Sequence, residues 1–268
     1  MTNIDYWHKQ GSDPLFPDLL WSRPENKLHA GKLLIVGGHA HGFAAPAEAY
    51  NESEKAGIGV SRVILPDHLH SQFRKFQGSV LSTEFAPSTP SGSFASKSLA
   101  ELLDAGAWAD GVLLAGDFGR NSETAIVLEK LAQKYQGALI LTKDAVDYFT
   151  SNPDPVVNRK RTCLVLTVAQ LQKLATSCKF TEPITFGMGL LQLVDTLHLF
   201  TSIYPIQIVV KHLDGLYVAI DGQVSTTKTS EDLEESWRVR TAAHVAVWLI
   251  QNPDKPFQAA TTAISETA

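Results

Sequence analysis

Cysteine and methionine are scarce in this chain of 268 residues, which contains two of each. Two cysteines are too few for a disulfide framework, so we expect a reduced, cytoplasmic setting. No run of about 18 apolar residues occurs, so no membrane-spanning helix is predicted. The first nine residues are polar and lack the apolar core of a secretion signal. A formal net charge of −5 gives no support for a nucleic-acid or acidic-membrane partner.

The composition, 44% hydrophobic and 19% charged, is typical of a globular protein. Neither an internal repeat nor a linker divides the chain, so we predict one domain over residues 1–268. Residues 1–31 contain three prolines and are expected to form an irregular arm. The small, polar residues 261–268 are expected to fray.

Short apolar runs alternate with helical patterns along most of the chain. Strands are predicted over 33–36, 60–65, 112–115, 139–141, 163–166, 206–210 and 216–220. Helices are predicted over 44–55, 98–103, 188–200 and 237–250, and after the capping signals at Asn121 and Thr167. This alternation predicts an α/β fold with a mostly parallel sheet covered by helices on both faces. Residues 87–96, rich in serine and proline, are expected to form a surface loop or a small lid.

Ligands of open parallel sheets bind outside the carboxyl ends of the strands. Five segments follow predicted strands and could meet in one cleft. They are residues 37–45, 116–121, 142–144, 167–170 and 211–215.

Two glycines, Gly37 and Gly38, follow the first long apolar strand. They could face a phosphate, because glycine lets the backbone approach closely. A flexible strand-to-helix turn is an equally good interpretation. His39 and His41 follow at once, but no further ligand residues stand at metal-binding spacing, so no metal site is expected.

Three charged residues follow buried strands. Asp117 and Asp144 are the best candidates for acid–base chemistry, although a turn-capping role is slightly favoured by sequence alone. Lys211 ends an apolar strand, where an ammonium group needs a phosphate or a carboxylate unless it reaches solvent.

Taken in order, these segments resemble the NAD(P)HX dehydratases, a family with the ribokinase-like fold that repairs hydrated nicotinamide nucleotides. The resemblance covers about residues 27–260. It rests on the Gly-Gly turn at 37–38, Ala-Gly-Ile-Gly at 56–59, Gly-Asp-Phe-Gly-Arg-Asn-Ser-Glu-Thr at 116–124 and Val-Val-Lys at 209–211.

The resemblance implies roles for individual residues. The substrate would lie beside Ala44, Ala45, Asp117 and Gly119. The nucleotide would be bound by Gly37, Gly38, Lys211, His212 and, through its side chain, Arg238. The catalytic acid would be sought among Asp144, Asp117 and Asp232.

The chain departs from the family pattern in two segments. At 167–170 the substrate-binding histidine is absent. No glycine follows Gly222, so the glycines that form the family's anion hole are missing as well. Counting back from the last helix puts Val239 at the place of the family's aspartate, whereas a shifted match puts Asp232 there. The shifted segment carries three further glutamates, which would repel phosphate.

Three functions follow as hypotheses. The first is dehydration of hydrated NADH or NADPH driven by ADP or ATP, with which Mg²⁺ can act. The second is a non-catalytic regulatory protein that binds a nucleotide or dinucleotide on the same fold. The third is a small-molecule kinase. The family also forms symmetric oligomers, so a homo-oligomer is expected, with the helix at 188–200 in the core or at the interface.

Overall fold

The predicted parallel sheet is present in the computed structural model, which describes residues 4–73, 82–229 and 237–267. Within these residues ten strands form one sheet in the order β1-β10-β9-β8-β7-β6-β5-β2-β3-β4. The seven strands from β8 to β4 are parallel, and β9 runs antiparallel to both of its neighbours. The strands are β1 Trp7–Lys9, β2 Lys32–Gly37, β3 Val60–Pro66, β4 Thr83–Ala86, β5 Gly111–Gly116, β6 Ala138–Thr142, β7 Thr162–Thr167, β8 Gln207–His212, β9 Gly215–Ile220 and β10 Gln223–Lys228.

Helices cover both faces of this sheet, as the alternating sequence pattern predicts. In chain order they are α1 Pro17–Trp21, α2 Ala44–Lys55, α3 His70–Phe73, α4 Ser98–Trp108, α5 Ser122–Lys134, α6 Asp144–Asp147, α7 Asp154–Val157, α8 Val168–Ser177, α9 Leu190–Ile203, α10 Trp237–Gln251 and α11 Pro256–Thr267. Helices α4 to α9 pack on what we call the first face, and α1, α2, α10 and α11 pack on the second face. No helix among the described residues is long and apolar enough to cross a membrane.

The central strands are apolar at every position because both of their faces are buried. In β2, Leu34 and Val36 belong to the core of the first face, whereas Leu33 and Ile35 belong to the core of the second face. A strand buried on both sides gains no benefit from alternating polar residues. This arrangement explains why the sequence shows unbroken apolar runs.

Both termini are more ordered than the sequence predicts. Within the supposedly irregular arm of residues 1–31, β1 pairs in parallel with β10 at the sheet edge, and α1 packs on the second face. The supposedly frayed tail continues α11 to Thr267, and its Ala263 and Ile264 are fully buried. These two expectations were wrong, because pairing with a free sheet edge and packing against α10 outweigh weak local propensity.

Candidate functional site

Five strands place their carboxyl ends side by side along one edge of the sheet. In sheet order they are β2, β5, β6, β7 and β8, and all five are parallel. The five segments proposed from the sequence follow these five strands. The five segments therefore lie next to one another at this edge. Open parallel sheets bind their ligands at such a position, outside the carboxyl ends of the strands.

The two glycines after β2 are needed for close backbone contact with the end of β5. A Cβ at Gly37 would lie 2.5 Å from the carbonyl oxygen of Gly116. The N–H of Gly38, at a φ of +90°, donates to the same oxygen over 3.0 Å. The Gly38 N–H is thus engaged within the fold, and a nucleotide role for these glycines stays a prediction.

Asp117 links the start of α2 to the end of β6. Its Oδ2 accepts a hydrogen bond of 2.7 Å from the N–H of Ala45, in the first turn of α2. Its Oδ1 lies 2.7 Å from the Nζ of Lys143. A carboxylate is stabilised both at a helix N-terminus and beside an ammonium group. Asp117 and Ala45 are therefore together as expected, but the two carboxylate oxygens of Asp117 already have partners.

Asp144 has the properties of an acid–base group more clearly than Asp117 does. Its Oδ2 accepts a 3.1 Å hydrogen bond from the N–H of Gly119. Its Oδ1 is buried and has no hydrogen-bond partner within the described ranges. Burial raises the pKa of Asp144, the negative charge of Asp117 raises it further, and the backbone N–H donors oppose the shift. A carboxyl group held in this way can carry a proton at a pH where an exposed aspartate cannot.

His39 is oriented by the same loop. Its Nδ1 lies 2.8 Å from the carbonyl oxygen of Asp117 and must donate to it, which fixes the orientation of the ring. The His39 ring packs beside Gly119, where a Cβ would lie 3.1 Å from Cδ2. The rings of His39 and His41 are 5.7 Å apart. Across residues 4–73, 82–229 and 237–267, no three potential metal ligands cluster.

Two side chains that were not among the predicted site residues hold these loops in place. Tyr148 donates from its hydroxyl to the carbonyl oxygen of Gly119 over 2.6 Å and accepts from the N–H of Asn121. Gln170, beyond its predicted capping box with Thr167, donates from Nε2 to the carbonyl oxygen of Lys143 over 2.9 Å. The capping box was visible in the sequence, but no local signal marks Tyr148.

The serine- and proline-rich segment at 87–96 forms a wall beside this site. Phe94 is fully buried and its ring lies 5.9 Å from that of Phe118. Asn121 donates from its side chain to the Ser91 hydroxyl, and Thr124 donates from its hydroxyl to the Phe94 carbonyl oxygen. The segment predicted as a surface loop or a small lid is thus anchored to the N-terminus of α5 in this structure.

Lys211 and His212, adjacent at the end of β8, lie on opposite faces of the sheet. Lys211 is in register with Leu216, a residue of the second-face core, and is half-buried. His212 is 5% exposed and its Nε2 lies 2.8 Å from the Met188 carbonyl oxygen. His212 therefore has a partner inside the protein and does not join Lys211 in one cationic group.

Two threonine hydroxyls at the end of β10 have no partner among the described residues. Leu216, which pairs with Lys211, also pairs with Thr227 of β10, so all three side chains project to the second face. Thr227 and Thr229 are 6% and 5% exposed, and neither Oγ1 has a hydrogen-bond partner in the described part of the chain.

The remaining sequence candidates lie at the start of α10 or just before it. Arg238 is half-buried in the first turn of α10, and the neighbouring Trp237 packs against the second-face core. Asp232, the third candidate for the catalytic acid, lies outside the described residues.

An open cavity of about 530 Å³ adjoins Gly119 on the first-face side of this edge. It is lined by Gly119, Arg120, Asn121, Ser122, Ala125, Asp144, Asp147, Tyr148, Thr150 and Lys173. Its volume lies within the range of about 300–1,000 Å³ that is usual for small-molecule sites.

Solved structures share this arrangement of strands and helices. A ribokinase-like superfamily protein from Enterococcus faecalis superposes with a TM-score of 0.73 at 16% identity, covering 98% of this chain and 87% of that one. The fold is ribokinase-like. Other structures with this ribokinase-like fold include an ADP/ATP-dependent NAD(P)H-hydrate dehydratase from Bacillus subtilis, co-crystallised with ATP and Mg²⁺. It has a TM-score of 0.64 at 10% identity and covers 95% of this chain and 87% of that one.

A pyridoxal kinase from Staphylococcus aureus also superposes, with a TM-score of 0.54 at 11% identity over 87% of this chain and 85% of that one. No protein-family model and no curated protein sequence matches the chain. At these identities the shared property is the ribokinase-like fold, which hosts more than one chemistry.

Proposed function

We propose that this protein binds ADP or ATP at the ends of β8 to β10 and dehydrates hydrated NADH or NADPH beside Asp144. The proposal has a nucleotide half and an acid–base half, and both concern the same edge of the sheet. Support comes from the sequence resemblance, from the fold that is shared with a dehydratase, and from the chemistry of the side chains at each half.

One observation carries the nucleotide half: a cation at the end of β8 and two hydroxyl donors at the end of β10, none of which has a partner among the described residues. Lys211 makes no hydrogen bond or ion pair with any described residue, and the Thr227 and Thr229 hydroxyls are buried and unsatisfied. Leaving a buried hydroxyl unpaired costs about 1–3 kcal/mol. A phosphate group would accept from all three donors, and it would compensate the ammonium charge.

Asp144 supplies the acid–base half. Dehydration removes a hydroxyl group and a proton from neighbouring carbons, so it needs an activated leaving group and a base. In the proposed reaction the terminal phosphoryl group of ATP or ADP passes to the hydroxyl oxygen, which releases ADP or AMP, and Asp144 accepts the hydroxyl proton. Phosphate then leaves with the C–O bond electrons while the neighbouring carbon loses its proton, which forms the double bond. Its carboxyl group, with a buried oxygen that has no hydrogen-bond partner in the described part of the chain, suits that proton transfer.

The direct test is recovery of NADH from its hydrate by the purified protein with ATP or ADP and Mg²⁺. We expect turnover by the wild type and a loss of at least about a hundredfold in Asp144→Asn, which keeps the size of the side chain. The Bacillus subtilis dehydratase serves as positive control. Absence of turnover by the folded protein, where the control is active, would contradict the proposal.

A non-catalytic nucleotide-binding protein is the second candidate, and the Asp117–Lys143 ion pair favours it. The Asp117–Lys143 ion pair spans the loops beside the expected substrate position. This candidate predicts that nucleotide binds, that no NADH is formed, and that Asp144→Asn leaves nucleotide affinity unchanged.

A further inference from the structure

The acidic and basic residues that line the cavity beside Gly119 differ in their contacts with the rest of the protein. Each of its two acidic residues accepts a hydrogen bond through one oxygen: Asp144 Oδ2 from the Gly119 N–H, and Asp147 Oδ1 from Gln170 Nε2 over 3.0 Å. Its two basic residues, Arg120 and Lys173, are exposed and have no hydrogen bond or ion pair with any residue that the structure describes. Within the described lining, the basic side chains are therefore the charged groups that have no partner in the protein.

The N-terminus of α5 adds a third group that favours an anion. Helix α5 has 13 residues, and Ser122, its first residue, lines the cavity. The Asn121 side chain accepts from the N–H groups of Glu123 and Thr124. The N–H of Ser122 has no such acceptor in the described ranges. A helix N-terminus with an unsatisfied N–H favours an anionic ligand, and here it lies in the same wall as Arg120.

We infer that this cavity binds the phosphate-bearing part of the substrate, with Arg120 and Lys173 as its phosphate ligands and Asp144 beside its hydroxyl-bearing end. Gly119 and Asp144 lie at the sheet edge, whereas Ala125 and Lys173 lie along helices α5 and α8. A ligand that fills the cavity therefore extends from the strand ends to these helices. The ligand class is a phosphorylated compound with a hydroxylated ring, and this assignment rests on the proposed function.

The test compares binding of NADPH with binding of dihydronicotinamide riboside, which has no phosphate. The variant is Arg120→Ala/Lys173→Ala. The matched control is Lys130→Ala/Lys134→Ala, which removes the same charge from exposed positions of α5 outside the cavity. All four side chains are exposed, so both variants should unfold at the wild-type temperature. Calorimetric titration gives the affinities. Repeating the titrations with Lys211→Met added to each variant shows whether NADPH binds in the cavity or at the proposed nucleotide position.

We expect the cavity variant to bind NADPH at least about tenfold more weakly than the control, since two charge-assisted contacts are lost. Its affinity for the riboside should not change. Equal NADPH affinities in the two variants would overturn the inference, and so would an equal loss for the riboside. The inference would also be overturned if the difference in NADPH affinity between the two variants disappeared when Lys211→Met is added.

Turnover of hydrated NADH separates this inference from the proposed function. If the wild type binds NADPH through Arg120 and Lys173 but forms no NADH, the cavity assignment stands and the dehydratase activity fails. If NADH is formed with the same kcat/KM in the cavity variant, the activity stands and the assignment fails. If the folded wild type neither binds NADPH nor forms NADH, both fail.

Discussion

The Nζ of Lys143 lies 2.7 Å from Oδ1 of Asp117, across the carboxyl ends of β6 and β5. Both residues have positive φ, +51° for Lys143 and +59° for Asp117. Between them lies Gly116, where a Cβ would come within 2.8 Å of the Lys143 Cβ. Two adjacent loops are thus joined by one ion pair above a residue that has to be glycine.

This pair predicts a measurable contribution to stability. Lys143→Met should lower the free energy of unfolding by about 1–2 kcal/mol, because Asp117 would keep its hydrogen bond to Ala45 but lose its counter-charge. The control is Lys228→Met, since Lys228 is an exposed residue whose nitrogen lies 3.9 Å from Asp214. A pair of that kind contributes about 0–1 kcal/mol. Urea denaturation measures both, and equal losses would contradict the prediction.

The raised pKa of Asp144 predicts that the free energy of unfolding is lower at neutral pH than it would be without this residue's titration. Its pKa is raised by burial and by the Asp117 charge, so the folded protein binds its proton more tightly than the unfolded chain does. Stability therefore falls as the pH rises above the unfolded value of about 3.9 and levels off above the folded pKa. Asp144→Asn removes this cost. Its stability relative to the wild type should increase from acid to neutral pH in urea titrations, and a constant difference would contradict this.

The helix bounds show how much of the fold the sequence could predict. Helix α2 was predicted over 44–55 and is found there, because Pro46 is tolerated in its first turn and its alanines face a core. The capping box between Thr167 and Gln170 is confirmed as well. Both signals are local, so they can be read without knowing the neighbours in space.

Features that depend on distant partners were missed. A strand of three residues, Trp7–Lys9, has no periodicity to recognise and exists because β10 offers a free edge. Likewise, Asp117 and Lys143 are 26 positions apart, and only the alignment of β5 with β6 brings them together. The candidate site was therefore predictable as a set of strand ends, but its internal contacts were not.

Helix α11 continues to Thr267, where the sequence predicts a frayed tail, and a substitution can test this packing. Ile264 is fully buried against the second face, so Ile264→Ala should lower the free energy of unfolding by about 2–5 kcal/mol. Ile126→Ala is the matched control, because Ile126 on α5 is 46% exposed. Similar values for the two variants in denaturant titrations would mean that residues 261–267 do not pack as a helix.

His244 on α10 predicts a loss of stability in acid. Burial lowers its pKa from 6.5, while Glu52 on α2 and Glu266 on α11 act to raise it and Arg240 acts to lower it. Since the unfolded chain binds the proton more readily, stability should fall as the pH drops below about 6.5.

The matched variant is His244→Gln, which cannot titrate. Between pH 7 and pH 5 its free energy of unfolding should change less than that of the wild type. An identical pH dependence in the two proteins would show that His244 does not contribute.

The most direct test of the central claim is ATP and ADP affinity in three proteins: the wild type, Lys211→Met and Lys228→Met. Calorimetry should show binding to the wild type, an affinity at least about tenfold lower in Lys211→Met, and no change in Lys228→Met, since Lys228 is exposed. If the folded wild type binds neither nucleotide, or if Lys211→Met binds as tightly as the wild type, the ends of β8 to β10 are not a phosphate site.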